Sequence, residues 1–120
     1  MIKVLTVDDS RTMRDMLRVA LVGGGFNVVE AVDGEDGLKV LEQNGADVII
    51  TDINMPKLDG FGFIEQVRVN DAYRATPILV LTTESDPEKR ARARDAGATG
   101  WIVKPFNPQK LLDVIRKVAA

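Results

Sequence analysis

Along this chain, short and nearly continuous apolar runs alternate with stretches whose apolar residues recur at helical spacing. Ile2-Lys3-Val4-Leu5-Thr6-Val7 reads as a strand, mostly apolar on both faces, as a central parallel strand requires. Met13, Leu17, Ala20 and Leu21 then fall on one helical face behind Ser10, a good N-cap. Gly23-Gly24-Gly25 ends that helix, since glycine tolerates the left-handed conformation that follows a helix C-terminus.

The same alternation continues. Phe26 to Ala31 predicts a second strand, and Asp33 or Gly34 opens a helix through Leu38, Val40 and Leu41 that closes near Gly45. Asp47-Val48-Ile49-Ile50-Thr51 is a β-branched third strand suited to burial. A turn, Met55-Pro56-Lys57-Leu58-Asp59-Gly60, leads into a helix with Phe63, Ile64 and Val67. Pro77 to Leu81 reads as the fourth strand. Asp86-Pro87 and Asn107-Pro108 both carry a capping side chain followed by proline, a strong helix start. Between them, Trp101-Ile102-Val103 is a short fifth strand, and the last helix buries Leu111, Leu112, Ile115 and Val118.

Five strand–helix units in series predict an α/β fold, a parallel sheet with helices on both faces and right-handed crossovers. The flavodoxin-like, doubly wound (βα)5 version has strand order 2-1-3-4-5, with its ligand site outside the carboxyl ends of the strands. The units fill residues 1–120 as a single domain and leave none for a second one.

Composition narrows the chemistry. The chain has no cysteine and no histidine, which removes disulfides, thiolate catalysis, a cysteine zinc site and any phosphohistidine intermediate. What remains is carboxylates, lysine, hydroxyls and a hard cation. Hydrophobic residues at 45% and charged residues at 28% suit a soluble globular protein. The apolar start meets Asp8 and Asp9 before a secretory segment would end, and no stretch has the length of a membrane span. A cytoplasmic protein with no membrane partner is the expectation. Net charge is −2, divided between −5 over residues 1–60 and +3 over residues 61–120, a polarity that hints at different surroundings for the two ends of the molecule.

The polar strand-end residues converge on one rim. Asp8 and Asp9 follow the first strand, Asp52 the third, Thr82 and Thr83 the fourth, and Lys104 the fifth. Three close carboxylates either protonate or share a cation, and an all-oxygen donor set selects a hard ion such as Mg²⁺. A carboxylate nucleophile, a cation, a lysine and a hydroxyl together suit phosphoryl transfer to Asp52. Each part taken alone has a plainer reading. Asp8-Asp9-Ser10 can be a helix cap, Asp52 a turn residue, Thr82-Thr83 a matter of strand propensity, and Lys104 a solvated lysine. The Lys104–Pro105 bond can be trans or cis, with cis the minority form. The plainer readings must all hold at once, at matching strand ends.

Asp8-Asp9, Asp52, Thr82 and Lys104-Pro105-Phe106, in this order through the whole chain, resemble the receiver domains of two-component response regulators. The resemblance implies that a histidine kinase phosphorylates Asp52. It implies a Mg²⁺ site from Asp9, Asp52 and the Asn54 carbonyl, with Asp8 assisting through water, and Lys104 and Thr82 on the phosphoryl group. Trp101 stands where the family has an aromatic switch residue, and the residue pattern equally fits a core tryptophan. Asp8 to Arg14, Asp52 to Pro56, Asn54 and Glu84 are similar to the stand-alone chemotaxis regulators of the family, which bind the flagellar motor switch. Lys89, Arg90, Arg92 and Arg94, with Arg116 and Lys117, form either a solvated face or a docking surface on the helix 4–strand 5–helix 5 side, where family members bind targets. Nucleic-acid binding is not expected, because the net charge is slightly negative and no recognition module is present.

The leading expectation is a monomeric, phosphorylation-dependent switch whose own catalysis is limited to self-phosphorylation and self-dephosphorylation. A phosphorelay intermediate or phosphate sink uses the same site. A Mg²⁺-dependent phosphohydrolase would need a general acid–base and a cap, and a flavodoxin-like mononucleotide binder would have to overcome three carboxylates at its phosphate site.

Overall fold

Every α-helix in the computed structural model, which describes residues 1–120, starts on a side chain that accepts a backbone N–H. Ser10, Asp33, Asp59, Asp86 and Asn107 cap α1 (Arg11–Gly23), α2 (Gly34–Asn44), α3 (Gly60–Val69), α4 (Pro87–Ala96) and α5 (Pro108–Ala119), in that order. Each cap satisfies one of the N–H groups that a helix start leaves without an internal partner. Proline at the first turn of α4 and α5 supplies a preset φ where no N–H is needed.

The helices alternate with β1 (Lys3–Val7), β2 (Asn27–Ala31), β3 (Val48–Thr51), β4 (Ile78–Thr82) and β5 (Gly100–Val103). All pairings are parallel and the sheet order is β2-β1-β3-β4-β5, the expected flavodoxin-like arrangement. Successive strand residues face opposite sides of the sheet. Leu5, Val7, Ile49, Ile78 and Val80 therefore pack with Leu41, Phe63, Ile64, Val67 and Ala93 beneath α2, α3 and α4. Val4, Val48, Ile50, Leu79 and Leu81 pack with Leu17, Leu21, Leu111, Leu112 and Ile115 beneath α1 and α5. No helix is long and apolar enough to cross a membrane.

Several local features differ from the sequence reading, among them the following. Phe26 lies before β2, because its N–H closes the end of α1 on the Leu21 carbonyl. β4 begins at Ile78 and runs to Thr82. A 3-10 turn, Asp71–Tyr73, sits between α3 and β4, capped by the Asn70 side chain. The Lys104–Pro105 peptide is cis.

Candidate functional site

The central strands end together and deliver their next residues to one place. Val7 pairs with both Ala31 and Thr51, and the Asp52 N–H then bonds the Val7 carbonyl at 3.0 Å. Thr82 pairs with Val103, and the Lys104 N–H bonds the Thr82 carbonyl at 2.8 Å. Asp8, Asp9 and Asp52 consequently offer carboxylate oxygens that all lie within 4.8 Å of one another. Asp8 and Asp52 are buried, whereas Asp9 is exposed.

Two like charges about 4 Å apart in a partly buried setting repel by about 4 kcal/mol, so this cluster requires positive charge. Lys104 supplies it. Its Nζ lies 2.9 Å from Asp8 Oδ2 and 2.8 Å from Asp52 Oδ2. The remaining oxygens take backbone donors: Ser10 N–H on Asp8 Oδ1 at 2.9 Å, and Ile53 N–H on Asp52 Oδ1 at 2.6 Å. Burial is the strongest influence on the Asp8 carboxyl and holds it above its ordinary value of 3.8, although the Ser10 N–H and Lys104 oppose the rise. For Lys104, burial alone would lower the ammonium. The hydrogen bonds that Lys104 donates to Asp52 and Asp8, with the charges of those carboxylates, outweigh it and hold Lys104 above 10.5.

The donor set fits a hard divalent cation. It is all carboxylate oxygen, it carries more negative charge than one ammonium offsets, and one member, Asp9, is open to solvent. Asn54 is exposed on the loop that leaves Asp52.

Thr82 is fully buried, and its hydroxyl accepts the Glu84 N–H at 3.3 Å. Trp101 is half-buried against the core beneath α2, α3 and α4, and its Nε1 donates to the Glu84 carbonyl at 3.1 Å. Both candidate switch residues thus meet on the backbone of one residue, Glu84, whose carboxylate pairs with Lys89 at 3.0 Å. Of the basic residues on α4 and α5, Lys89 is used in that pair, Arg92 stacks 4.1 Å from the Phe61 ring centroid, and Arg116 faces Asp113 at 3.7 Å. Arg90 and Arg94 line an open cleft beside Trp101.

Some supporting residues were not legible from the sequence. A Cβ on Gly60 would overlap the Asp52 carbonyl oxygen, so the start of α3 closes directly against the back of the Asp52 residue. The Gly34 N–H holds the Leu58 carbonyl at 3.2 Å, which ties the β3–α3 loop to the start of α2. Lys57, on that loop, adopts φ 68°, a left-handed conformation uncommon for a residue with a side chain. Arg14 donates from Nη1 to the Asp8 backbone carbonyl at 2.7 Å. Only the Asp59-Gly60 turn left a sequence signal; the other contacts depend on chain segments that meet in three dimensions.

Comparison with known proteins bears on what this site is. The sequence profile of the response regulator receiver domain matches residues 4–116. A probable chemotaxis protein CheY of Rhizobium etli is 39% identical over 118 residues, 98% of this chain and 92% of that protein. A probable transcriptional regulator, ycf27, of Guillardia theta is 41% identical over 116 residues, 97% of this chain. The chain spans only 44% of that regulator's length. Among solved structures, the chemotaxis protein CheY4 of Vibrio cholerae superposes with a TM-score of 0.94 at 47% identity, covering 98% of each chain.

Proposed function

This chain belongs to the response regulator receiver family, and from that premise we propose that it is a switch set by Mg²⁺-dependent phosphorylation of Asp52 from a histidine kinase. The observation that carries the reading is the Lys104 ammonium held between Asp8 and Asp52 with a third carboxylate, Asp9, in reach. Asp52 Oδ1 accepts the fixed Ile53 N–H, whereas Oδ2 accepts from the Lys104 side chain, whose ammonium can move, so Oδ2 is assigned as the nucleophile. Transfer forms an Oδ2–phosphorus bond and breaks the phosphorus–nitrogen bond of the donor imidazole. Lys104 follows the charge from Oδ2 to a phosphoryl oxygen, and the Thr82 hydroxyl, released from the Glu84 N–H, donates to another. Asp8, Asp9, Asp52 and the Asn54 carbonyl would hold Mg²⁺, which would neutralise the phosphoryl oxygens during transfer.

Because Thr82 and Trp101 share Glu84, movement of the hydroxyl disturbs the indole's hydrogen bond and carries the change toward α4 and β5. Phosphate then favours one arrangement of this surface over another, and a protein target binds the α4–β5–α5 side through that difference. The chain acts as a signalling protein, with self-phosphorylation and self-dephosphorylation as its only chemistry, in the cytoplasm and as a monomer. A chemotaxis output, such as binding to the flagellar motor switch, is favoured by the near full-length match to the Rhizobium etli protein and the likeness to Vibrio cholerae CheY4.

The test is intact mass after incubation with Mg²⁺ and a small acyl-phosphate donor, for wild type and Asp52→Ala. One phosphoryl adduct is expected on wild type only, and only with Mg²⁺. An adduct on Asp52→Ala, or none on wild type, would overturn the assignment.

A further inference from the structure

We propose that Arg14 is a positioning residue for the cation site, acting through the backbone of Asp8 and held in place by Glu30. The inference rests on the Mg²⁺ reading above and assigns it a device outside the cluster of carboxylates.

Asp8 and Asp9 are consecutive, so their side chains tend to leave the chain in different directions. Their convergence on Asp52 therefore depends on the orientation of the peptide between them, whose oxygen is the Asp8 carbonyl. That oxygen accepts from Arg14 Nη1 at 2.7 Å. The Asp8 N–H is held by the Ala31 carbonyl at 3.2 Å, so Asp8 is tied at both backbone groups as well as at both carboxylate oxygens.

Arg14 is itself restrained. It lies on α1 with little of its side chain exposed, and its Nε faces Glu30 Oε1 on β2 at 3.8 Å. Glu30 also accepts from Arg18 Nη1 at 2.7 Å, and Arg18 bonds Asp15 at the same distance. Because Thr6 pairs with Glu30 in the sheet, the anchor for Arg14 moves with the strand that ends at the site. A guanidinium suits this place because one Nη–H holds the carbonyl while its delocalised charge faces the Glu30 carboxylate. Groups that orient metal ligands, without touching the metal, commonly govern affinity by an order of magnitude or more.

Charge and position predict opposite results here. Arg14 is a cation close to a divalent-cation site, so Coulomb repulsion alone would make its removal tighten Mg²⁺ binding. Positioning makes its removal weaken binding.

The experiment is titration of the metal-free, full chain with Mg²⁺ alone, followed by amide NMR, for wild type, Arg14→Met and Arg18→Met. Arg18→Met removes the other cation on Glu30 but not the bond to Asp8. We expect Arg14→Met to bind Mg²⁺ about tenfold more weakly, with the Asp9 and Ser10 amides already displaced before metal is added. Arg18→Met should bind as wild type does. Unchanged or tighter binding by Arg14→Met would overturn the proposal, as would equal weakening by both variants. If Arg14→Met does not fold, Arg14→Lys, with one compact ammonium in place of the fork, is judged by the same criterion. Wild type that shows no Mg²⁺ saturation would instead sink the cation reading on which Arg14's role rests.

Discussion

Trp101 and Thr82 are joined through opposite ends of one residue: the indole Nε1 donates to the Glu84 carbonyl at 3.1 Å, and the Thr82 hydroxyl accepts the Glu84 N–H at 3.3 Å. A shift of Glu84 is therefore felt by both side chains.

This linkage makes the chain's single tryptophan a reporter of the site. Trp101 emission should change when Mg²⁺ and a phosphodonor are added. Thr82→Val keeps the side-chain shape and removes the hydroxyl. It should still take up a phosphoryl group by mass, with the emission change largely lost. Equal emission changes in both proteins would show that Thr82 does not transmit the signal.

Lys104 pairs with Asp8 and Asp52 from the interior of the site. Lys104→Met removes an internal rival for the same oxygens, so Mg²⁺ should bind more tightly. It also removes a charge donor to the transferring phosphoryl group, which should slow adduct formation by about 10²–10³-fold. Rapid-quench mass measurements and a Mg²⁺ titration check the two directions. Wild-type transfer rates in the variant would remove Lys104 from the chemistry.

Asp8 provides a pH test. Burial holds its carboxyl above 3.8, so the native state keeps this proton at a pH where the unfolded chain has released it. The native state binds more protons, and stability from this group falls as pH rises from 3.8 through the higher folded value. Asp8→Asn removes that loss. Urea midpoints should show the variant gaining on wild type between acid and neutral pH. A constant difference across that window would contradict the burial argument.

Arg68 is predicted to matter for stability but not for the cation site. Its guanidinium donates to the Gly97, Tyr73 and Arg74 carbonyls, joining the ends of α3 and α4, and burial lowers its pKa. Arg68→Met leaves those carbonyls without their charged donor and should cost about 2–3 kcal/mol in urea unfolding. Its Mg²⁺ affinity should match wild type. A loss of affinity alongside the loss of stability would mean that the end of α4 is coupled to the carboxylates.

Periodicity and caps in the sequence determined the five strand–helix units, because both are local properties of neighbouring residues. Ser10, Asp33, Asp86 and Asn107 could be read as caps from position alone. The rim residues Asp8, Asp9, Asp52, Thr82 and Lys104 were legible for a related reason: once the strands are parallel, every strand-end residue must emerge on the same side. The tertiary structure alone decided how those residues are held. Lys104 meets Asp8 from 96 positions away, Arg14 reaches back to the Asp8 carbonyl while Glu30 steadies it from β2, and Trp101 meets the Glu84 carbonyl across 17 positions. No spacing rule predicts such contacts, because they join groups that only a packed sheet brings within reach.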